Sequence, residues 1–259
     1  MEARKPLILV TNDDGVTAKG IRSLVEAVAD LGEVVVVAPD SPQSGMGHAV
    51  TIGNILRIEE LKSPLPGSVQ TFSTTGTPVD CVKLAIYHVL KGRTPDLLVS
   101  GINHGSNSSI NVIYSGTMSA AVEGAVEGIP SIGFSLLDHA ADADFDAAKS
   151  IARRMAKAAL ANRFPNSTCL NVNIPRLPES EIKGIKICRQ AKAFWSDAFE
   201  KRHDPSGKPY FWMTGEFNNK DKGEDTDEWA LEHGYVSVVP VHYDLTAHHA
   251  MGALNEWDI

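Results

Sequence analysis

Two adjacent carboxylates, Asp13 and Asp14, follow directly on the apolar run Leu7-Ile8-Leu9-Val10, inside the turn Thr11-Asn12-Asp13-Asp14-Gly15. Like charges about 4 Å apart repel by about 1 kcal/mol in water, and by roughly 4 kcal/mol at an effective dielectric near 20. At the mouth of a buried strand the larger figure applies, and a divalent cation relieves it. The same residues also spell an ordinary polar turn. Two further segments follow apolar runs: Pro39 to Gly45, which carries Ser44, and Gly101 to Asn107, which carries Asn103. In open parallel sheets ligands bind beyond the carboxyl ends of the strands, so all three segments converge on one edge. Their carboxylates, hydroxyl and amides are hard oxygen ligands, suited to Mg²⁺ or Mn²⁺ more than to zinc. That convergence tips the Asp13-Asp14 pair from turn toward metal.

A second chemical signal is Tyr114-Ser115-Gly116-Thr117, placed before the small-residue run Met118 to Gly124. Hydroxyls and a glycine at a helix start make an anion site from free N–H groups and the helix dipole. Taken alone, Ser115 reads as a common N-cap. A metal and an anion-binding helix end together suggest phosphoryl chemistry. Near the C-terminus, His242 to His249 gathers imidazoles around Asp244, and Asp244 and His248 share a face if that segment is helical. A histidine there could protonate a leaving alkoxide, although a solvated or core-satisfied histidine is the ordinary reading. Other chemistries lack their signatures. The first turn has acids where a dinucleotide site has G-x-G-x-x-G, and the acids lack EF-hand spacing. No G-x-S-x-G surrounds Ser100 or Ser115.

The elements that must position these residues alternate. Leu7 to Val10 is a buried strand; Ile21, Leu24, Val25, Val28 and Leu31 mark an amphipathic helix that Gly32 ends; Val34 to Ala38 is a second strand. A helix from Thr77-Pro78 to Leu90 precedes a strand at Asp96 to Ser100. A helix from about Thr117 to Glu127, a strand at Ser131 to Ser135, a helix from Phe145 to Ala161 and a strand at Leu170 to Ile174 follow. This predicts an α/β, Rossmann-like, mostly parallel sheet with helices on both faces. After Pro175 the composition shifts, with strand-like pieces at Ile182 to Arg189, Tyr210 to Thr214 and Tyr235 to Pro240 and a polar, exposed loop at Asn218 to Glu228. Residues 1–175 are therefore expected to form the metal- and phosphate-binding core. Residues 176–259 read as a hairpin-bearing C-terminal extension that covers the active site or makes a subunit contact.

The chain has 259 residues, 43% of them hydrophobic and 22% charged, as in globular proteins. Its 24 basic and 32 acidic residues give a net charge of −8. An acidic balance offers no broad surface for nucleic-acid polymers or anionic membranes, yet a bound cation can reverse the field at one site. No apolar run at the start is long enough for a signal peptide or a membrane span. Cys81, Cys169 and Cys188 lie far apart, without C-x-x-C spacing, and read as buried thiols of a reducing, cytoplasmic setting.

Taken together, the motifs resemble the SurE family of survival-protein 5′/3′-nucleotidases over nearly the whole chain. The resemblance rests on Leu9 to Gly15, Val37 to Asp40 with Gln43-Ser44-Gly45, Gly76 to Val82, Ser100 to Asn103 with Gly105 and Asn107, Tyr114 to Thr117, and Asp244 to His248. It implies one divalent cation per subunit, Mg²⁺ or Mn²⁺, held by Asp13, Asp14, Ser44 and Asn103. It implies that Asn107, Ser115, Gly116 and Thr117 hold the substrate phosphate, and that Asp244 and His248 serve the active site or its assembly. The implied activity is hydrolysis of nucleoside monophosphates, in some members also of short polyphosphate, by a homodimer or homotetramer that exchanges C-terminal elements. An exopolyphosphatase and a non-catalytic nucleotide-binding protein remain the alternatives. His104 stands where the family often has a small residue, either lining the pocket or as a tolerated substitution.

Overall fold

The first strand sets the layering. In a computed structural model describing residues 4–62, 65–66 and 69–259, β1 (Leu7–Thr11) is buried at every position. Residues 1–3, on which the leader reading partly rests, lie outside the described residues. Side chains alternate across a strand. Ile8 and Val10 accordingly pack with the faces of α1 (Lys19–Val28) and, further on, α4 (Asp146–Ala161), while Leu7 and Leu9 pack with Cys81, Val82 and Ala120 on the opposite side. A strand covered on both faces needs a continuous apolar run, and that is why β1 and β2 (Glu33–Pro39) are so uniform in composition.

Between β2 and the next helix lie two strands with no such signature, β3 (Ile58–Leu61) and β4 (Gln70–Thr74). The chain then runs through α2 (Pro78–Leu84), β5 (Leu97–His104), α3 (Gly116–Val126), β6 (Ser131–Leu136), α4 and β7 (Thr168–Ile174). Past Pro175 come β8 (Ile185–Ile187), β9 (Ala193–His203), β10 (Pro209–Asn219), α5 (Asp227–Glu232), β11 (Val236–His242) and α6 (His248–Leu254). One nine-stranded sheet has the order β3-β4-β2-β1-β5-β6-β7-β11-β8. Its pairings from β4 across to β7 are parallel; β3 joins β4, and β11 joins β7, antiparallel. The α/β architecture with a mostly parallel sheet and helices on both faces is as expected.

Beyond Pro175 the structure redraws the sequence reading. β8 and β11 pair in parallel and extend the main sheet, while β9 and β10 form a separate antiparallel hairpin eleven residues long on each side. That hairpin is far longer than the Tyr210 to Thr214 strand expected from its apolar residues. The polar stretch Asn218 to Glu228 is not an exposed loop throughout. Asn218 and Asn219 end β10, Thr226 caps α5 by accepting from the Trp229 N–H at 3.2 Å, and Thr226 and Asp227 are fully buried. Asp227 is satisfied in the interior by backbone donors, Ser109 N at 2.7 Å and Ala191 N at 2.9 Å, so its polarity does not signal exposure.

Candidate functional site

The carboxyl ends of β1, β2 and β5 and the residues just before α3 line an open cavity of about 240 Å³. Asp13, Asp14, Ser44, Asn103, His104, Asn107 and Ser115 all line it. Asp13 is held from two sides: its backbone carbonyl accepts from Gln43 N at 2.7 Å, and its Oδ1 accepts from the Thr117 hydroxyl at 2.5 Å. Gly15, at φ +99°, lets the turn close, with Asn12 Nδ2 donating to its carbonyl at 2.9 Å. Asn103 reaches the cavity because β5 continues past Ser100 to His104, with a register shift against β6 between Ser100 and Asn103. Such a bulge re-aims a side chain at a strand end. Asn103 Nδ2 donates to Gly105 O at 2.9 Å, which turns Oδ1 into its available ligand atom. Ser44 lies on a loop whose far end is tied down by Asp80, which closes the capping box of α2 with the N-cap Thr77: the Thr51 N–H and hydroxyl both donate to that carboxylate, at 3.0 and 2.6 Å.

Electrostatically the cavity is strained. Burial pushes the Asp13 carboxyl up to about 6; the Thr117 hydroxyl opposes the shift and the Asp14 charge adds to it. Burial also raises Asp14, against the pull of the His104 side chain and backbone. Asp14 Oδ2 and Asn12 Oδ1 are buried oxygens without a hydrogen-bond partner. Among the described residues no group of three or more His, Cys, Asp or Glu could hold a metal, so a cation here needs the neutral oxygens of Ser44 and Asn103 beside the two acids. An orphaned carboxylate oxygen among hard oxygen donors fits a divalent cation of the Mg²⁺ or Mn²⁺ type.

Opposite the acids stands the start of α3. Ser115 caps it, its Oγ accepting from Met118 N at 3.0 Å. The N–H groups of Gly116 and Thr117 fall in the first turn, where the helix itself offers no acceptor. Glycine is required at 116: a Cβ there would lie 2.7 Å from the Cβ of Asp13. Thr117 differs from its expected part in one respect. Its hydroxyl and its N–H both bond to Asp13 and it is fully buried outside the cavity lining, so it positions the carboxylate.

Asn107 is buried at the cavity wall and pinned by groups the sequence reading passed over. Its N–H donates to Asn173 Oδ1 at 2.8 Å, its carbonyl accepts from Asn171 Nδ2 at 2.7 Å, and its own Nδ2 donates to Ser135 Oγ at 2.7 Å. The signal was visible: Leu170-Asn171-Val172-Asn173-Ile174 alternates amide and apolar residues in a strand that should be apolar on both faces. His104 lines the cavity and packs edge-on against Phe145, ring centroids 4.9 Å apart.

Asp244 and His248 are not brought to this cavity within one chain. They pair with each other, Nε2 to Oδ2 at 3.2 Å, and the His248 side chain is 72% exposed. Asp244 precedes α6, and hydrogen bonds from Thr246, followed by that of His248, hold its carboxyl down at about 2.

Comparison with known proteins supplies the lineage of this arrangement. The family described as survival protein SurE matches residues 8–197. Proteins named 5′-nucleotidase SurE are 61% identical over 255 residues in Flavobacterium psychrophilum, covering 98% of each chain, and 62% identical over 254 residues in Cytophaga hutchinsonii, covering 98% of this chain and 97% of the other. The crystal structure of a SurE protein from Aquifex aeolicus superposes with a TM-score of 0.83 at 42% identity, covering 96% of this chain and 98% of that one. A match over this much of the chain, with relatives this similar from end to end, leaves one conclusion: the chain belongs to the SurE family.

Proposed function

We propose that the chain is a metal-dependent phosphomonoesterase that hydrolyses nucleoside 5′- and 3′-monophosphates to nucleoside and phosphate. The observation that carries this reading is one cavity in which a strained carboxylate pair, Asp13 buried and Asp14 half-buried, lies beside Ser115 at the start of α3. Acids alone would repel a phosphate, and a helix start alone would bind one without reacting. Asp13, Asp14, Ser44 and Asn103 would hold the cation, which when bound neutralises phosphate charge and lowers the pKa of a coordinated water. Asp13 or Asp14 would take a proton from the attacking water. Ser115 and the Gly116 N–H would bind the equatorial phosphate oxygens, with Asn107 beside them and Thr117 holding Asp13 in place.

Asp244 and His248 take part, in this reading, across a contact between subunits of a homodimer or homotetramer, His248 donating the proton to the leaving nucleoside oxygen. Three free, buried thiols suit a reducing, cytoplasmic setting, and among the described residues no helix is long and apolar enough to cross a membrane.

The direct test is a substrate panel of nucleoside 5′- and 3′-monophosphates with tripolyphosphate, assayed in chelator and again with Mg²⁺ or Mn²⁺ restored. Release of phosphate from the monophosphates only after metal is restored is the expected result. Full activity in chelator overturns the metal requirement, preference for tripolyphosphate makes the protein a polyphosphatase, and tight AMP binding without turnover makes it a binding protein.

A further inference from the structure

The Asp13–Asp14 cavity takes a phosphate and a cation, but at about 240 Å³ it falls below the roughly 300–1,000 Å³ of sites that enclose a whole small-molecule ligand. A nucleoside attached to that phosphate must lie outside it. A second concavity of about 440 Å³ adjoins the first, and Tyr114 lines both. A second link joins them: Asn111, in the wall of the phosphate cavity, accepts a 2.8 Å hydrogen bond from Nε1 of Trp195, in the wall of the other.

This second concavity is built from the base of the β9–β10 hairpin. Trp195 and Asp197 lie two apart on one face of β9; Met213 and Gly215 stand on the same face of β10, with Gly215 directly across from Asp197. Lacking a side chain, Gly215 leaves a gap between Phe217 and Met213. Trp195 leans on its cross-strand partner Phe217, ring centroids 5.4 Å apart. Its N–H is committed to Asn111 and the side chain is 42% exposed, so it offers a π face and no donor. The turn that carries Asn111 is itself fixed. Ser109 sits at φ +52°, held there by the Asp227 carboxylate on its N–H and by its own hydroxyl donating to Ala191 O at 2.9 Å.

The chemistry of the wall selects its occupant. Trp195, Tyr114 and Met213 offer aromatic and sulfur surface, Asp197 offers a charged acceptor, and none of the lining residues is a cation. A second phosphate would meet the Asp197 charge with nothing to offset it, whereas a flat, uncharged ring stacks on indole and phenol. We propose that this concavity is a nucleobase subsite, in which the base stacks on Trp195 and Tyr114 marks the junction with the phosphate cavity. Asp197 accepts from an exocyclic amino group of the base or from a ribose hydroxyl. The proposal rests on the phosphomonoesterase reading and assigns the part of the substrate that the phosphate cavity leaves out.

The test compares AMP with ribose 5-phosphate, which keeps the phosphate and sugar and lacks the base. For Trp195→Ala the ratio of kcat/KM for AMP over ribose 5-phosphate should fall roughly 5- to 100-fold, the range for stacking one base on one aromatic ring. Trp195→Phe, which keeps a stacking face but cannot donate to Asn111, should retain most of that ratio. An unchanged ratio in both variants overturns the subsite while leaving the hydrolase reading intact. A ratio lost equally in both makes the Asn111 hydrogen bond, and not stacking, the active feature, and overturns it too. If the unaltered protein hydrolyses neither compound, the phosphomonoesterase reading falls and the subsite falls with it.

Discussion

The two regions that carry the candidate catalytic acids are built differently. At the strand ends, three functional groups are fixed by contacts within the fold: Asp13 by Thr117 and Gln43, Asn103 by Gly105, Asn107 by the amides of β7. In the C-terminal segment, Asp244 and His248 have each other and little else. No residue of α6 is buried, and Leu245 is 92% exposed. The first region is a site before any ligand arrives. The second has the residue types of chemistry without a wall around them, so its part in catalysis depends on what packs against it. Four-residue spacing brings two side chains together, but only the fold decides whether they meet a substrate.

The largest effects are expected from breaking the first region. Asp13→Asn should lower turnover about a thousandfold, as several kcal/mol of charge stabilisation is lost. It should also stabilise the protein in chelator. Because the folded Asp13 pKa lies above its unfolded value, the folded state binds the extra proton, and stability falls as pH rises from about 4 to about 6. Above that window the full penalty applies, on the order of 3 kcal/mol for a group this buried. Thermal unfolding at pH 7 in chelator should therefore give a higher Tm for Asp13→Asn than for the unaltered protein, with the difference shrinking below pH 5. A lower Tm for the variant at pH 7 would show that the carboxylate pair is not strained. Divalent metal should then raise the Tm of the unaltered protein and leave that of the variant nearly unchanged.

An intermediate effect belongs to the support of Asn107. Asn173→Ala leaves the buried Asn107 N–H without an acceptor, which costs about 1–3 kcal/mol. The expected outcome is a drop of that size in denaturant unfolding and a raised KM, with Asn173→Asp, which keeps an acceptor, recovering part of both. Stability equal to the unaltered protein would show that the β7 amides do not fix the cavity wall.

These two cases mark what the sequence could and could not convey. β1, β2, β5 and β6 were legible because a strand covered on both faces must be apolar along its length, and the rule that ligands bind past such strands located Asp13, Asp14, Ser44 and Asn103, while the small-residue helix that follows it located Ser115. β3 was not legible, because an edge strand exposes Glu59 and Glu60 to water and so lacks the signature. β4 was missed for a related reason: Thr71 and Thr74 are buried yet polar, and the strand they belong to is set by its pairing with β2, far off in sequence. Asp227 misled for the opposite reason, since a carboxylate satisfied by two backbone donors can be fully buried. The long hairpin was hidden because its side chains face no intrachain core: Phe199, Trp212 and Met213 are more than half exposed.

The smallest effect on folding, and the sharpest on the comparison, concerns His248. With its side chain largely exposed, His248→Ala should change stability by less than about 0.5 kcal/mol. Its effect on activity depends on whether the C-terminal segment serves its own subunit or the neighbouring one, and mixed oligomers separate the two. Asp13→Asn and His248→Ala subunits are each expected to be impaired. If each cavity draws its acids from one subunit and its histidine from another, a mixed dimer carries one site with both residues intact. Co-refolding equal amounts should then restore up to about a quarter of the unaltered activity on AMP, since half the dimers are mixed and half their sites are whole. If Asp13 and His248 act within the same chain, every site in every dimer lacks one of them and mixing restores nothing. Recovery on AMP without comparable recovery on 4-nitrophenyl phosphate, whose leaving group needs no proton, would identify His248 as the general acid. Equal recovery on both substrates would assign it to assembly.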